Sequence, residues 1–187
     1  MPETTEPRTV VLFEGASDRL AVETAARRLG LSVDELELVD LDGITNLRGR
    51  LRMLREAGRR VVGLYDAAEG GYVSSVLRDL GAISHDGSPE DAGFFGCERD
   101  LEDEVIAAAG AELVIQTLDA RGELARFRVF QGQPAQRERT VEEQLHRFAG
   151  TAAGRKARFA ADVIAAIPVE RMPRPIVALL RAALRGR

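Results

Sequence analysis

Two carboxylates stand where an apolar run gives way to a helical pattern. Glu14 directly follows the run TVVLF at 9–13, and Asp18 comes four residues later, past Gly15. The arrangement recurs down the first hundred residues. The run 36–41 contains Asp40 and is followed by Asp42. The run 61–65 is followed by Asp66, with Glu69 just beyond. The run 94–97 is followed by Glu98, Asp100, Glu102 and Asp103. Asp18, Glu69 and Glu102 each fall in the first turn of a helical pattern, where the helix dipole alone favours an acid. Glu14 and Asp66 are different, because an ionised carboxylate placed directly after an apolar strand is costly to desolvate. Several carboxylates converging on one edge repel unless a cation holds them. Oxygen-only donors suit Mg²⁺ or Mn²⁺.

The second chemical feature is a single lysine. Of 26 basic residues only Lys156 is not arginine. An arginine-rich background can reflect coding composition alone, but a guanidinium cannot copy a compact ammonium. Phe159, Ala160, Val163, Ile164 and Ile167 follow Lys156 at offsets of three, four, seven, eight and eleven, so the lysine shares their apolar stripe. One reading is that its stem packs and its ammonium reaches water. The other is that the helix sets the ammonium against the acidic edge, where it could offset charge on a transferring phosphoryl group.

These residues need elements to position them. The runs 9–13, 36–41, 61–65 and 94–97 read as strands. Helical patterns fill 17–30, 45–57, 69–80 and 100–109, with Ser17 and Asp100 as N-caps and Gly30 and Gly58 as stops. Four strand–helix alternations predict an α/β unit on a parallel sheet over 1–110. In such a sheet ligands bind outside the carboxyl ends of the strands, which is where the acids fall. From residue 111 strand signals nearly vanish. Segments 140–149, 154–167 and 175–184 read as helices, so 111–187 is expected to be a helical region packed on the core and carrying the lysine.

Composition narrows the field. The chain has 187 residues, 45% hydrophobic and 30% charged, which suits one large globular domain. The one cysteine, Cys97, excludes an internal disulfide, and the polar start MPETTEPRT shows no signal sequence, so a cytoplasmic, non-membrane protein is expected. Net charge is −4, yet 137–187 carries +6 and leaves −10 for the rest. That asymmetry fits either a basic tail meeting a polyanion or an ordinary solvated surface. EGASD is not the glycine pattern of a dinucleotide site, and GTAAGRKA has the wrong spacing for a P-loop. GASD is no nucleophile elbow. His85 and His146 have only Cys97 for company, so zinc is not expected.

FEGASD, GLYDAAE, CERDLEDE and the late GRKARFA followed by MPRPIVALL together resemble a Toprim domain, and most closely the stand-alone Toprim proteins of the overcoming-lysogenization-defect (OLD) nuclease family. The resemblance runs from Val10 to about Leu184. It implies a Rossmann-like Toprim sheet flanked by helices, with a helical C-terminal extension. It implies that Glu14 and Asp18 hold a metal, that Asp66 is the first acid of a D-x-D motif, that Glu102 belongs to a Leu-Glu motif, and that Lys156 is catalytic. The second acid of D-x-D is missing: position 68 is Ala68, for which Glu69 is the substitute one residue late. OLD nucleases carry an ATPase ahead of the Toprim domain. Only eight residues precede the first strand here, so an ATPase is expected in trans or not at all.

The first expectation is therefore a Mg²⁺- or Mn²⁺-dependent endonuclease that hydrolyses phosphodiesters, with DNA favoured over RNA. Glu14, Asp66 and Lys156 would be catalytic, and Glu14, Asp18, Asp66, Glu69 and Glu102 would hold metal. Arg155, Arg158, Arg171 and Arg174 would grip the backbone. A non-catalytic Toprim module that binds nucleic acid or an ATPase stands as the alternative, kept open by Ala68. A phosphatase or phosphoacceptor centred on Asp66 is a third.

Overall fold

The computed structural model describes residues 9–185, and the polar opening segment read above lies outside them. Among the described residues four strands form one parallel sheet, β1 (Val10–Phe13), β2 (Glu37–Asp40), β3 (Val61–Tyr65) and β4 (Phe94–Gly96), in the order β2-β1-β3-β4. Between successive strands run α1 (Ala16–Arg28), α2 (Leu47–Glu56) and α3 (Gly70–Asp79). Then come α4 (Leu101–Ala109), α5 (Ala111–Ala120), α6 (Leu124–Gln131), α7 (Val141–Ala149), α8 (Ala153–Ala166) and α9 (Arg174–Leu184). This is the expected α/β fold with helices following the last strand.

The central strand sets the layers. All four residues of β1 are buried, because a parallel strand in mid-sheet is covered on both faces. Val11 and Phe13 belong to one hydrophobic cluster, with Ala21, Val22 and Ala25 of α1 and residues from α4, α8 and α9. Val10 and Leu12 belong to the other, with Leu47, Leu51 and Leu54 of α2 and Val73, Val76 and Leu77 of α3. The chain leaves β1 toward β2 on one side and returns to β3 on the other. The loops after β1 and β3 therefore diverge, and a crevice opens at their carboxyl ends.

The C-terminal helices complete the first face. Phe159, Ala160, Val163, Ile164 and Ile167 are all buried, as the stripe on α8 requires. α8 lies along α1 and α4, and α9 lies against β3 and β4. Two arginines fasten the layer: Arg28 Nη2 donates to the Ile167 carbonyl at 2.9 Å, and Arg60 Nη2 to that of Ala182 at 2.7 Å. Among the described residues, no helix is long and apolar enough to cross a membrane.

Some local expectations need correction. α1 starts one residue before Ser17, and the Asp18 carboxylate accepts from Gly15 N–H at 3.2 Å, so Gly15 takes the cap position. The helical pattern at 45–57 is split, with Ile44–Asn46 in a 3₁₀ turn before α2. α5 and α6 lie within the region expected to be helical, but the sequence does not place them individually. Each is short and buries a narrow stripe (Val114, Thr117 and Leu118 on α5, Phe127 on α6), too little periodicity to read.

One close approach in the sheet depends on glycine. Gly63 pairs with Phe94, and a Cβ there would lie 2.7 Å from Phe94 Cε1 and 3.3 Å from the Leu12 carbonyl oxygen. Phe94 is buried, so its ring would have to shift within the core. Gly63→Ala should therefore destabilise the fold by about 1–3 kcal/mol, the usual cost of overpacking a core. Denaturant melts of the two proteins check this, and equal midpoints would show that the ring can move.

Candidate active site

At the carboxyl edge of the sheet lies an open cleft of ≈ 310 Å³, lined by Glu14, Gly15, Ser17, Asp18, Asp42, Gly43, Asp66, Glu102 and Lys156. Five separate segments meet there. Glu14 comes from the turn after β1 and Asp18 from the first turn of α1 that follows it. Asp42 follows β2, Asp66 follows β3, Glu102 stands in the first turn of α4, and Lys156 stands near the start of α8.

Local hydrogen bonds fix these segments. The loop after β2 is strapped to the end of β1, with Leu41 N–H donating to the Phe13 carbonyl at 2.8 Å and Gly43 N–H to that of Glu14 at 3.2 Å. Asp42 there has φ +53, a left-handed conformation that Asp tolerates better than most residues. The ends of β3 and β4 are joined by Cys97 N–H to the Tyr65 carbonyl at 2.9 Å and Ala67 N–H to that of Arg99 at 3.0 Å. α4 is capped by Asp100, whose Oδ1 accepts from Asp103 N–H at 2.8 Å. Its other oxygen, Oδ2, meets His146 Nε2 of α7 at 2.6 Å.

The carboxylates feel burial and one another. Asp66 is raised to about 7, first by burial and then by the charges of Asp18, Asp100, Glu14 and Glu102. Asp18 is raised to about 6, again first by burial. The Gly15 N–H pulls it down, Glu102 and Glu14 push it up, and Lys156 opposes them. Glu102 is raised by burial and by Asp100, while a backbone N–H, Lys156 and His146 lower it. These groups are oxygen donors held close enough to disfavour their joint ionisation, the chemistry that a hard divalent cation relieves. Among the described residues, no group of three His, Cys, Asp or Glu side chains is arranged to hold a metal ion as placed.

The structure thus brings together Glu14, Asp18, Asp66, Glu102 and Lys156. It adds Asp42, two residues past the end of β2. Asp40 is taken up elsewhere, with Arg19 Nε at 3.0 and 3.1 Å from its two oxygens. Glu69 ends the 3₁₀ turn Ala67–Glu69 and is not among the cleft's lining residues; Ala68 beside it is exposed. Arg155 is engaged inside the helical layer, paired with Glu123 and stacked 3.8 Å over the Phe148 ring. Arg158, Arg171 and Arg174 are exposed and lie outside the cleft lining. The His146–Asp100 pair escaped sequence reading because its partners are 46 residues apart.

The family model for the Toprim domain of overcoming lysogenization defect protein-like proteins matches residues 8–67, the stretch that holds Glu14, Asp18 and Asp66. Among solved structures the chain is similar to the C-terminal region of the Xanthomonas campestris pv. campestris OLD protein. Identity there is 22%, with 96% of this chain and 95% of that one covered at a TM-score of 0.67. It is similar also to the C-terminal region of the Burkholderia pseudomallei OLD protein, at 17% identity, 95% and 96% coverage and a TM-score of 0.68. At these identities the likeness establishes the fold. No curated protein matches the sequence.

The raised carboxyls set a pH dependence. A carboxyl raised on folding binds its proton more tightly in the folded chain. The stability it adds is complete below its ordinary value near 3.8 and is lost as pH climbs through about 6 for Asp18 and about 7 for Asp66. Without divalent cations, Asp66→Asn should leave a flatter melting profile from pH 5 to 8 than the wild type. At pH 8 it should melt about 2–4 °C higher, the shift that ~1 kcal/mol makes in a chain of this size. Parallel profiles for the two proteins would show that Asp66 ionises freely.

Proposed function

We propose, for a chain whose residues 8–67 match the OLD-like Toprim family model, that it is a divalent-metal-dependent nuclease hydrolysing phosphodiester bonds, with DNA the expected substrate. The observation that carries the reading is the meeting of Glu14, Asp18, Asp66, Glu102 and Lys156 in one cleft from segments as far apart as β1 and α8. Toprim domains generally use divalent metals, and the all-oxygen donor set here fits Mg²⁺ or Mn²⁺. When bound, such an ion supplies Lewis-acid polarisation of a phosphoryl oxygen and an activated water.

The chain's own residues have distinct tasks in this reading. Glu14, Asp18, Asp66 and Glu102 hold the cation, with Asp42 at the rim. Near neutral pH Asp66 retains a proton part of the time, so loading the site releases it. Lys156 brings a compact positive charge to the phosphoryl oxygens as negative charge gathers on them. The burial of the stripe behind it fixes where that charge stands. Sequence position alone supports Glu69 as a further ligand.

A second reading keeps a specific support. Ala68 removes an acid of the D-x-D motif, and Glu69 does not line the cleft. A Toprim module that binds nucleic acid without cutting it fits those two facts.

Cleavage and binding measured side by side separate the readings. Glu14→Gln should abolish metal-dependent cleavage. It should also remove most of the rise in melting temperature that millimolar Mn²⁺ gives by mass action. Lys156→Met keeps the stem and removes the charge, so folding should survive while the rate falls on the order of 10²–10³-fold. Lys156→Arg should not restore the rate fully. Equal cutting by wild type and both lysine variants would remove Lys156 from the chemistry. Binding by all of them without any cutting would favour the non-catalytic module.

A further inference from the structure

Beside the acidic cleft runs a groove of ≈ 500 Å³ between α1 and α8, with the end of α5 alongside. Its chemistry is the reverse of the cleft's. Arg27 and Arg28 stand on the α1 wall, and Arg121 and Arg158 on the other, all four exposed. The single acid among the lining residues, Asp162, pairs with Arg121. Two of the guanidiniums are aimed by hydrogen bonds: Arg27 Nη2 donates to Thr24 Oγ1 at 3.1 Å, and Arg28 Nη2 to the Ile167 carbonyl at the end of α8 at 2.9 Å. A guanidinium has five N–H donors, so most of each fork remains for a ligand.

The groove and the cleft are joined along one helix face. Ser17 lines the cleft, while Leu20, Thr24, Arg27 and Arg28 line the groove. Their offsets of three, seven, ten and eleven place them on a single stripe of α1. That stripe leads from the carboxylates to the arginines over about 16 Å of helix. A lone phosphate would be satisfied by one bidentate arginine. A row of guanidiniums on two walls suits a repeating anion, and one nucleic-acid strand of a duplex carries a charge about every 3.4 Å. The cleft itself repels phosphates, so a strand entering it needs a cationic surface close by.

We infer that this groove binds the phosphodiester backbone of the nucleic-acid strand that enters the cleft, several phosphates along from the one at the acids. The identity of the ligand rests on the nuclease reading above. The grip then falls on Arg27, Arg28, Arg121 and Arg158, of which only Arg158 stood among the arginines expected from the sequence.

The test is binding of a labelled single-stranded DNA oligonucleotide in EDTA, followed by anisotropy over a series of salt concentrations. Arg27→Gln/Arg28→Gln should bind on the order of tenfold more weakly at moderate salt. Its slope of log affinity against log salt should shrink by about 0.7 for each phosphate contact removed. Arg158→Gln, which leaves both α1 arginines in place, should act in the same direction and guards against a folding defect in the double variant. Arg50→Gln/Arg52→Gln, on the exposed side of α2 across the sheet, removes the same charge as the α1 pair and should bind as wild type does. Equal losses in the α1 and α2 pairs would overturn the groove in favour of net charge alone. So would unchanged affinity in Arg158→Gln and the folded α1 pair, or no binding by the wild type. Cleavage distinguishes the two levels. A wild type that cuts while its groove variants bind normally sinks the groove and leaves the nuclease standing. Groove variants that lose binding to a wild type that never cuts sink the nuclease and leave the groove standing.

Discussion

Carboxylates of like charge, partly withdrawn from water, have to be kept at one edge of a sheet although they repel each other. That constraint organises the molecule. A parallel sheet meets it because the strand ends are rigid and share one side, and the hydrogen bonds between the loops hold the acids from either flank. Leu41 and Gly43 fasten the loop after β2 to the end of β1, and Ala67 fastens the end of β3 to the turn before α4. Burial first, and then that repulsion, push the Asp66 carboxyl up to about 7. A surface acid without such neighbours would ionise several pH units lower.

The counter-charge comes from far along the chain. Lys156 stands at the head of a helix whose buried stripe packs on α1, the helix that carries Asp18. The hydrophobic layer therefore does electrostatic work: it decides where one ammonium sits relative to the acids. The same pair of helices forms the arginine-lined groove. α1 and α8 thus each contribute to two neighbouring surfaces of opposite sign.

The sequence made much of this legible, for physical reasons that differ between residues. β1 and β3 are short apolar runs bounded by acids and glycine, and buried parallel strands are written that way. The five apolar residues at helical spacing after Lys156 made its helix readable, while the side of that helix's head the ammonium takes stayed open between water and the acids. α5 and α6 were not readable, since each buries too few side chains to leave a period. The fate of Asp40 and Asp42 could not be told apart locally. Arg19 claims the first from a different element, and the strap to β1 carries the second into the cleft. The engagement of Arg155 with Glu123 and Phe148 is likewise tertiary. Charge pattern alone pointed to the tail as the cationic surface. Two of the four groove arginines are on α1, in the acidic front half, where the average hides them.

The long reach from Asp18 to Lys156 also bears on how the chain comes into being. Synthesis delivers the strands and their acids first, and the helix bearing the lysine among the last. Until α8 emerges and docks, the face of the sheet that it shares with α1 lacks part of its cover, and the acids lack their ammonium. The negative edge is therefore complete before its counter-charge arrives. The arginine-lined groove between α1 and α8 likewise takes shape only when the late helix docks on the early one.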